Sequence, residues 1–262
     1  MRTFGAFLKK EIMDLMRSGR FVLLVIIFVL FGIMNPAMAK LTPWLMQTMS
    51  ESLENTGLSI TEITVDAMSS WTQYYKNAQM AVIVFVLVIS NILTKEYQSG
   101  TLILVLTKGF SRVKVILAKT GILFAVWSIC YWLCLGITYV YNDYFWDNSV
   151  AAHWMFAAVC YWLFGVWLIS VIMLFSAIAK SNTIVLLGVA AVYAGLNILA
   201  MFRRIASYLP IKLTAGLSIL SGETVPSDYR TAIWITIITA VVMLVAAVMI
   251  FNKRMLPASR EE

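Results

Sequence analysis

Six stretches of this sequence, 21–39, 78–94, 120–141, 154–179, 183–202 and 231–251, contain no charged residue. Each is close to the ~20 apolar residues an α-helix needs to cross the ~30 Å hydrocarbon layer of a bilayer. Within hydrocarbon the backbone must satisfy its own N–H and C=O groups, and unbroken apolar runs, unlike the alternating strands of a barrel, do so as helices. Composition agrees: 13% of residues are charged and the mean hydropathy is +0.85, against about 25% charged in soluble domains. Too little polar surface remains to wet a globule. The chain is therefore read as all-α, a polytopic membrane protein with six transmembrane helices in one domain, 1–262.

The segments between the spans refine this reading. In residues 1–20, Phe4, Phe7, Leu8, Ile12, Leu15 and Met16 recur at helical spacing, with Lys9, Lys10, Asp14 and Arg17 on other faces. That pattern predicts an amphipathic helix lying in the headgroup region. Ala37-Met38-Ala39 has the form of a signal cleavage site, but the basic amphipathic region ahead of the apolar run is too long for one, so 21–39 is read as a retained span. Asn35-Pro36 is expected to kink or stop its helix. After Gly57, Ser59 and Glu62 form a capping box with Leu58 and Ile63 as staple, opening a helix that continues into the second span. Residues 203–230, with Pro210, Gly216, Gly222 and Pro226, predict short outer helices before the last span.

Charge sets the orientation. With an even number of spans the termini share a side, and that side, with 95–119 and Lys180, carries fourteen Lys and Arg against six on the other. The basic side is the cytoplasmic one, which places both termini of a multi-pass membrane protein in the cytoplasm. The electrostatic partner this implies is anionic membrane lipid, and the net charge of +7 needs no nucleic acid to explain it. Trp44, Trp71, Tyr74, Tyr75, Tyr141, Tyr144, Trp146 and Trp154 fall near the outer boundaries as an aromatic belt.

Enzymatic chemistry finds little support. Cys130, Cys134 and Cys160 lie in apolar runs and the single histidine, His153, sits at a membrane edge, so these residues read as buried thiols and an isolated imidazole rather than metal ligands. No catalytic residue and no metal site is assigned. The sequence contains no Gly-x-x-x-x-Gly-Lys-Ser/Thr loop, so no nucleotide cofactor is assigned to this chain.

The most informative segment is 95–119: Lys95-Glu96-Tyr97-Gln98-Ser99-Gly100-Thr101, then Lys108-Gly109-Phe110-Ser111-Arg112, Lys114 and Lys119. Its apolar stretch from Leu102 to Leu106 is too short to span and suits a helix at the membrane surface. Gly100 permits a tight bend, Glu96 can cap a turn or pair with a base, and Lys108, Arg112 and Lys114 can meet phosphates or acidic groups. This segment resembles ABC-2 type permeases, the membrane subunits of ATP-binding-cassette exporters, in which a Glu-x-x-x-Gly-Thr element follows the second span. A short helix, a turn ending in Ser-Arg and a lysine before the third span then follow. The number of spans, the interfacial helix and the outer helices match that family as well.

The resemblance implies that 95–119 is a coupling segment resting on a separate ABC ATPase subunit, with Glu96, Gly100, Thr101, Lys108, Ser111, Arg112 and Lys114 as contact residues. It implies that ATP and Mg are bound by that partner, and that two copies of this chain pair as a homodimer around the substrate path. No charge lies well inside a predicted span, which argues against an ion relay and for a hydrophobic or amphipathic cargo. Tyr131, Trp132, Tyr139, Tyr161, Trp162 and Trp167 are candidates to line its path. Within the family, hydrophobic or antimicrobial peptides come first, then drugs, lipids and polysaccharide precursors. A sensing or immunity subunit that binds a peptide without moving it carries the same motif.

Overall fold

The computed structural model describes residues 2–53, 65–102, 107 and 110–253. Every long apolar run is helical. The elements are α1 (Arg2–Arg17), α2 (Arg20–Leu53), α3 (Ala67–Ile89), α4 (Thr94–Gln98), α5 (Arg112–Phe145), α6 (Trp154–Ile178), α7 (Asn182–Ala200), α8 (Arg203–Ala206), α9 (Gly216–Leu220) and α10 (Arg230–Lys253), with short 3-10 turns at Asn148–Val150, Pro210–Thr214 and Pro226–Tyr229. Six helices are long and apolar enough to cross a membrane, and no strand occurs among the described residues. The chain is a polytopic all-α protein.

Helix α6 is the axis of the bundle. Two thirds of its membrane-length window (67%) is buried, against 11% for α7 and for α10, so α6 is the most enclosed of the long helices while α7 and α10 turn an apolar face outward. It packs against α5, α7, α10 and the 210–220 segment. Gly165 makes its approach to α5 possible: a Cβ there would lie 2.1 Å from Trp127 Cε2. Small residues at such crossings let membrane helices meet closely without a hydrophobic driving force.

Asn35-Pro36 does not stop its helix. Helix α2 runs on to Leu53 with Pro36 and Pro43 inside it, and a neighbour supplies what Pro36 lacks. A proline at 36 leaves the carbonyl of Gly32 without its N–H donor. The Thr138 hydroxyl on α5 lies 3.1 Å from that carbonyl and donates to it, sharing reach with the Cys134 carbonyl of its own helix at 3.1 Å. Asn35 Nδ2 donates to Thr138 Oγ1 at 3.0 Å, and Asn77 Nδ2 on α3 donates to Asn35 Oδ1 at 2.7 Å. Three helices are thus joined by a polar chain in which Asn35 and Thr138 are fully buried. Gly32 lets α5 in, since a Cβ would stand 3.0 Å from the Cys134 carbonyl.

The capping box at Ser59 and Glu62 lies outside the described residues. Helix α3 begins at Ala67, capped by Asp66, whose carboxylate accepts from the Ser69 N–H at 3.0 Å. At this end of the bundle the outer helices are tied down: Trp71 donates its indole N–H to Asn148 Oδ1 at 3.1 Å, and the Ala152 N–H donates to the Leu220 carbonyl at 3.1 Å. Gly216 of α9 leaves room for the Tyr75 ring, which a Cβ would approach to 2.2 Å.

Candidate functional site

At the opposite end, four charged side chains from three elements converge. Helix α3 ends at Ile89 and, after a turn, α4 begins at Thr94. This offset swings Glu96 under the bundle, where its side chain is only 11% exposed. Helix α1 brings Lys10 and Glu11, and Lys119 points inward from two turns inside α5. Lys119 Nζ meets Glu11 Oε2 at 2.7 Å and Glu96 Oε2 at 3.0 Å, and donates to the Ile92 carbonyl in the turn at 3.0 Å. Lys10 Nζ bridges the other two carboxylate oxygens, Glu11 Oε1 at 2.8 Å and Glu96 Oε1 at 2.6 Å. The result is a closed ring of alternating charge, Lys119–Glu11–Lys10–Glu96, with no net charge.

Burial makes this ring a structural commitment. Lys119 is 1% exposed and the Glu11 side chain 6%. An ion so placed loses several kcal/mol of hydration unless its partners are well arranged. Burial opposes the charge on Lys10, but hydrogen bonds to Glu11 and Glu96 outweigh it and raise its pKa above the ordinary lysine value. Lys10 is the half-exposed edge of the ring, and Lys119 its buried pole. Lys95 adds an outer pairing with Asp14 at 3.7 Å, and the Arg20 guanidinium reaches Asn91 Oδ1 at 2.5 Å.

The Glu-x-x-x-Gly-Thr element has a local reason for each residue. Glu96 supplies the carboxylate. Ser99 caps α4 and Gly100 follows with φ +70°, the left-handed conformation that ends helices and that glycine adopts without strain. The Thr101 hydroxyl turns back, 2.9 Å from Ser99 Oγ and 3.5 Å from the Glu96 carbonyl. Lys108 lies outside the described residues. Ser111 occupies the N-cap of α5 with an exposed side chain that makes no cap bond, and Lys114 is exposed. The Arg112 guanidinium donates to the carbonyls of Phe251 and Asn252 on α10 at 3.1 and 3.0 Å. The segment is thereby fastened both to the ring and to the last long helix.

The aromatic candidates form packed structure within the single chain. Tyr131, Tyr161 and Trp167 are buried in the core, and Trp132, Tyr139 and Trp162 pack partly buried against it. Tyr131 stacks on Tyr161 with centroids 6.0 Å apart and on Trp127 at 5.3 Å. Polar tips are satisfied: Tyr131 donates to the Ala158 carbonyl at 2.8 Å, Trp162 to Ser128 Oγ at 3.0 Å and Trp167 to Thr239 Oγ1 at 3.0 Å. The three cysteines are buried free thiols. No cluster of metal-ligating residues occurs among the described residues.

Glu11 and the joint role of Lys119 were not visible to sequence reasoning. Glu11 is 108 positions from its main partner, and the one local signal was its place on the apolar stripe, four residues from Phe7 and from Leu15. Residues 6–225 match a family model described as ABC-2 family transporter protein. No curated protein matches the chain.

Proposed function

The chain belongs to the ABC-2 transporter family, and from that premise we propose that it is the permease subunit of an ATP-driven exporter in a bacterial cell membrane. Family membership implies an ABC ATPase as partner, and ATP with its Mg would be bound there. In this reading two copies of the chain pair, both termini face the cytoplasm, and residues 95–119, including Glu96, Gly100, Thr101, Lys108, Ser111, Arg112 and Lys114, form the surface that rests on the ATPase.

The observation that carries the reading is the buried ring. A push on the segment after the second span displaces Glu96, and Glu96 is held by Lys119 at the root of α5 and by Lys10 on α1. Motion at the surface therefore cannot stay local. It either breaks buried ion pairs, which is costly, or carries α1 and α5 with it. ATP binding selects between two states only through such differential interactions.

The cargo we propose is a hydrophobic or amphipathic peptide. The six charge-free stretches of the long helices offer aromatic rings and neutral hydrogen-bonding groups, which suits an apolar solute and supplies no ion relay. The test is reconstitution of the chain with its ATPase in proteoliposomes. Glu96→Gln should insert normally yet lose at least tenfold in substrate-stimulated ATPase activity and in flux. Flux at the wild-type rate in that variant would refute the coupling role, and peptide binding with no flux in the wild-type protein would replace export by sensing.

A further inference from the structure

A second site adjoins the ring on the far side of α1. The amphipathic helix does not lie flat against the bundle. Ile12, Leu15 and Met16 roof a groove of about 430 Å³ whose floor is Gly121, Ala125 and Ile129 of α5. Ile12 and Met16 are about half exposed (45% and 49%) although they occupy the apolar face of the helix. The floor is low because two small residues follow one another by a turn, and a Cβ added to Gly121 would meet no atom within 4 Å. A narrow polar cleft lined by Glu11, Asp14, Arg20, Lys95, Glu96 and Lys119 adjoins the groove, the two sharing Leu15 and Ile122.

We propose that this groove and its basic rim bind one anionic phospholipid, with an acyl chain under α1 and the phosphate on the exposed basic residues beside it. The floor belongs to a helix of membrane-spanning length, so the medium facing it is hydrocarbon, and an acyl chain buries the apolar walls that α1 leaves uncovered. Charge selects the headgroup. Residues 1–20 hold five basic and two acidic side chains. Both acids are engaged, Glu11 in the ring and Asp14 with Lys95. Lys9 and Arg17 are exposed beside Leu8 and Met16, and Arg20 lines the cleft. The excess beside α1 is therefore positive, which attracts anionic lipid. Because α1 also carries Lys10 and Glu11, the lipid would fix the seat of the ring and make coupling depend on lipid charge. That last consequence rests on the permease reading; binding itself does not.

Binding is measured by native mass spectrometry of the full chain in neutral detergent, titrated with phosphatidylglycerol, phosphatidylcholine or glycerol phosphate. The wild-type protein should retain one phosphatidylglycerol at least fivefold more tightly than phosphatidylcholine, and glycerol phosphate not at all. Gly121→Leu, which fills the groove, should weaken phosphatidylglycerol at least fivefold, and Ala125→Phe should do the same. The exposed pair Lys9→Gln and Arg17→Gln should abolish the preference over phosphatidylcholine and keeps the test intact where a groove variant misfolds. Equal binding of both lipids to the wild type overturns the proposal. So does undiminished binding in the folded variants, glycerol phosphate binding as well as the lipid, or a dimer that dissociates on filling the groove, which would assign it to a second copy. No ATPase is present in this assay, so its failure leaves the permease reading standing.

Discussion

Replacing Lys119 with methionine tests the ring at its buried pole. The substitution keeps an unbranched side chain, one heavy atom shorter, and removes its charge and donors. Glu11 Oε2 and Glu96 Oε2 then lose a cation at 2.7 and 3.0 Å, and the site carries one net negative charge in a place where Glu11 is 6% and Glu96 11% exposed. Removing one member of a buried ion pair costs about 3–5 kcal/mol. Lys10 remains on both carboxylates, but it is 47% exposed and screened by water, so we expect about 3 kcal/mol. For a chain of this size that is a fall of roughly 6–12 °C in Tm, read by thermal unfolding of detergent-solubilised protein. A second substitution decides the cause. Glu96→Gln on top of Lys119→Met removes the surplus negative charge, and about 1.5–3 kcal/mol of the loss should return as coupling between the two sites. A Lys119→Met protein as stable as wild type, or a double variant weaker than the sum of the singles, would refute the ring as an electrostatic unit.

Thr138→Val should cost about 1–2 kcal/mol, because it orphans the Gly32 carbonyl and Asn35 Nδ2 in a membrane setting; Thr138→Ser should restore most of it, measured as Tm. Gly165→Ala should destabilise by about 1–3 kcal/mol or more, since the new Cβ meets Trp127 at 2.1 Å, whereas Gly195→Ala, with nothing within 4 Å, should be neutral or slightly stabilising. The raised pKa of Lys10 fixes the sign of its pH dependence: its contribution is complete below the unfolded lysine value of about 10.4 and is lost only as pH rises through the higher folded value. The Tm difference between wild type and Lys10→Met should therefore stay constant from about pH 7 to 10; a difference that fades below pH 9 would show that the ring does not hold the Lys10 proton.

Sequence and structure divide the candidate site unevenly. Gly100 was legible because its role is local: a helix end needs a residue that accepts a left-handed turn. Glu96 was legible only as a carboxylate able to pair with a base, because its partner Lys10 lies 86 positions away. Arg112 was legible as a base but not as a partner of α10, since its acceptors lie 139 and 140 positions on. Asn35-Pro36 was read by the local rule that proline kinks or stops a helix. The helix does not stop there, and Thr138, 103 positions away from Asn35, meets both the freed carbonyl and the asparagine amide.

By itself the sequence determined that this is a membrane protein of six long helices, because hydrocarbon leaves a backbone no other way to satisfy its polar groups and because length and charge are written residue by residue. It also determined where charge could not go. Which charges face each other, and which apolar faces stay open, was decided only by the tertiary structure. Lys119 reads as one more base before a span until α1 and α4 close over it, and the face of α1 that any helical wheel assigns to the bundle is left half uncovered above Gly121. Coulomb energy and packing depend on distance in space, and no pattern along the chain encodes a separation of 2.7 Å between residues 108 positions apart.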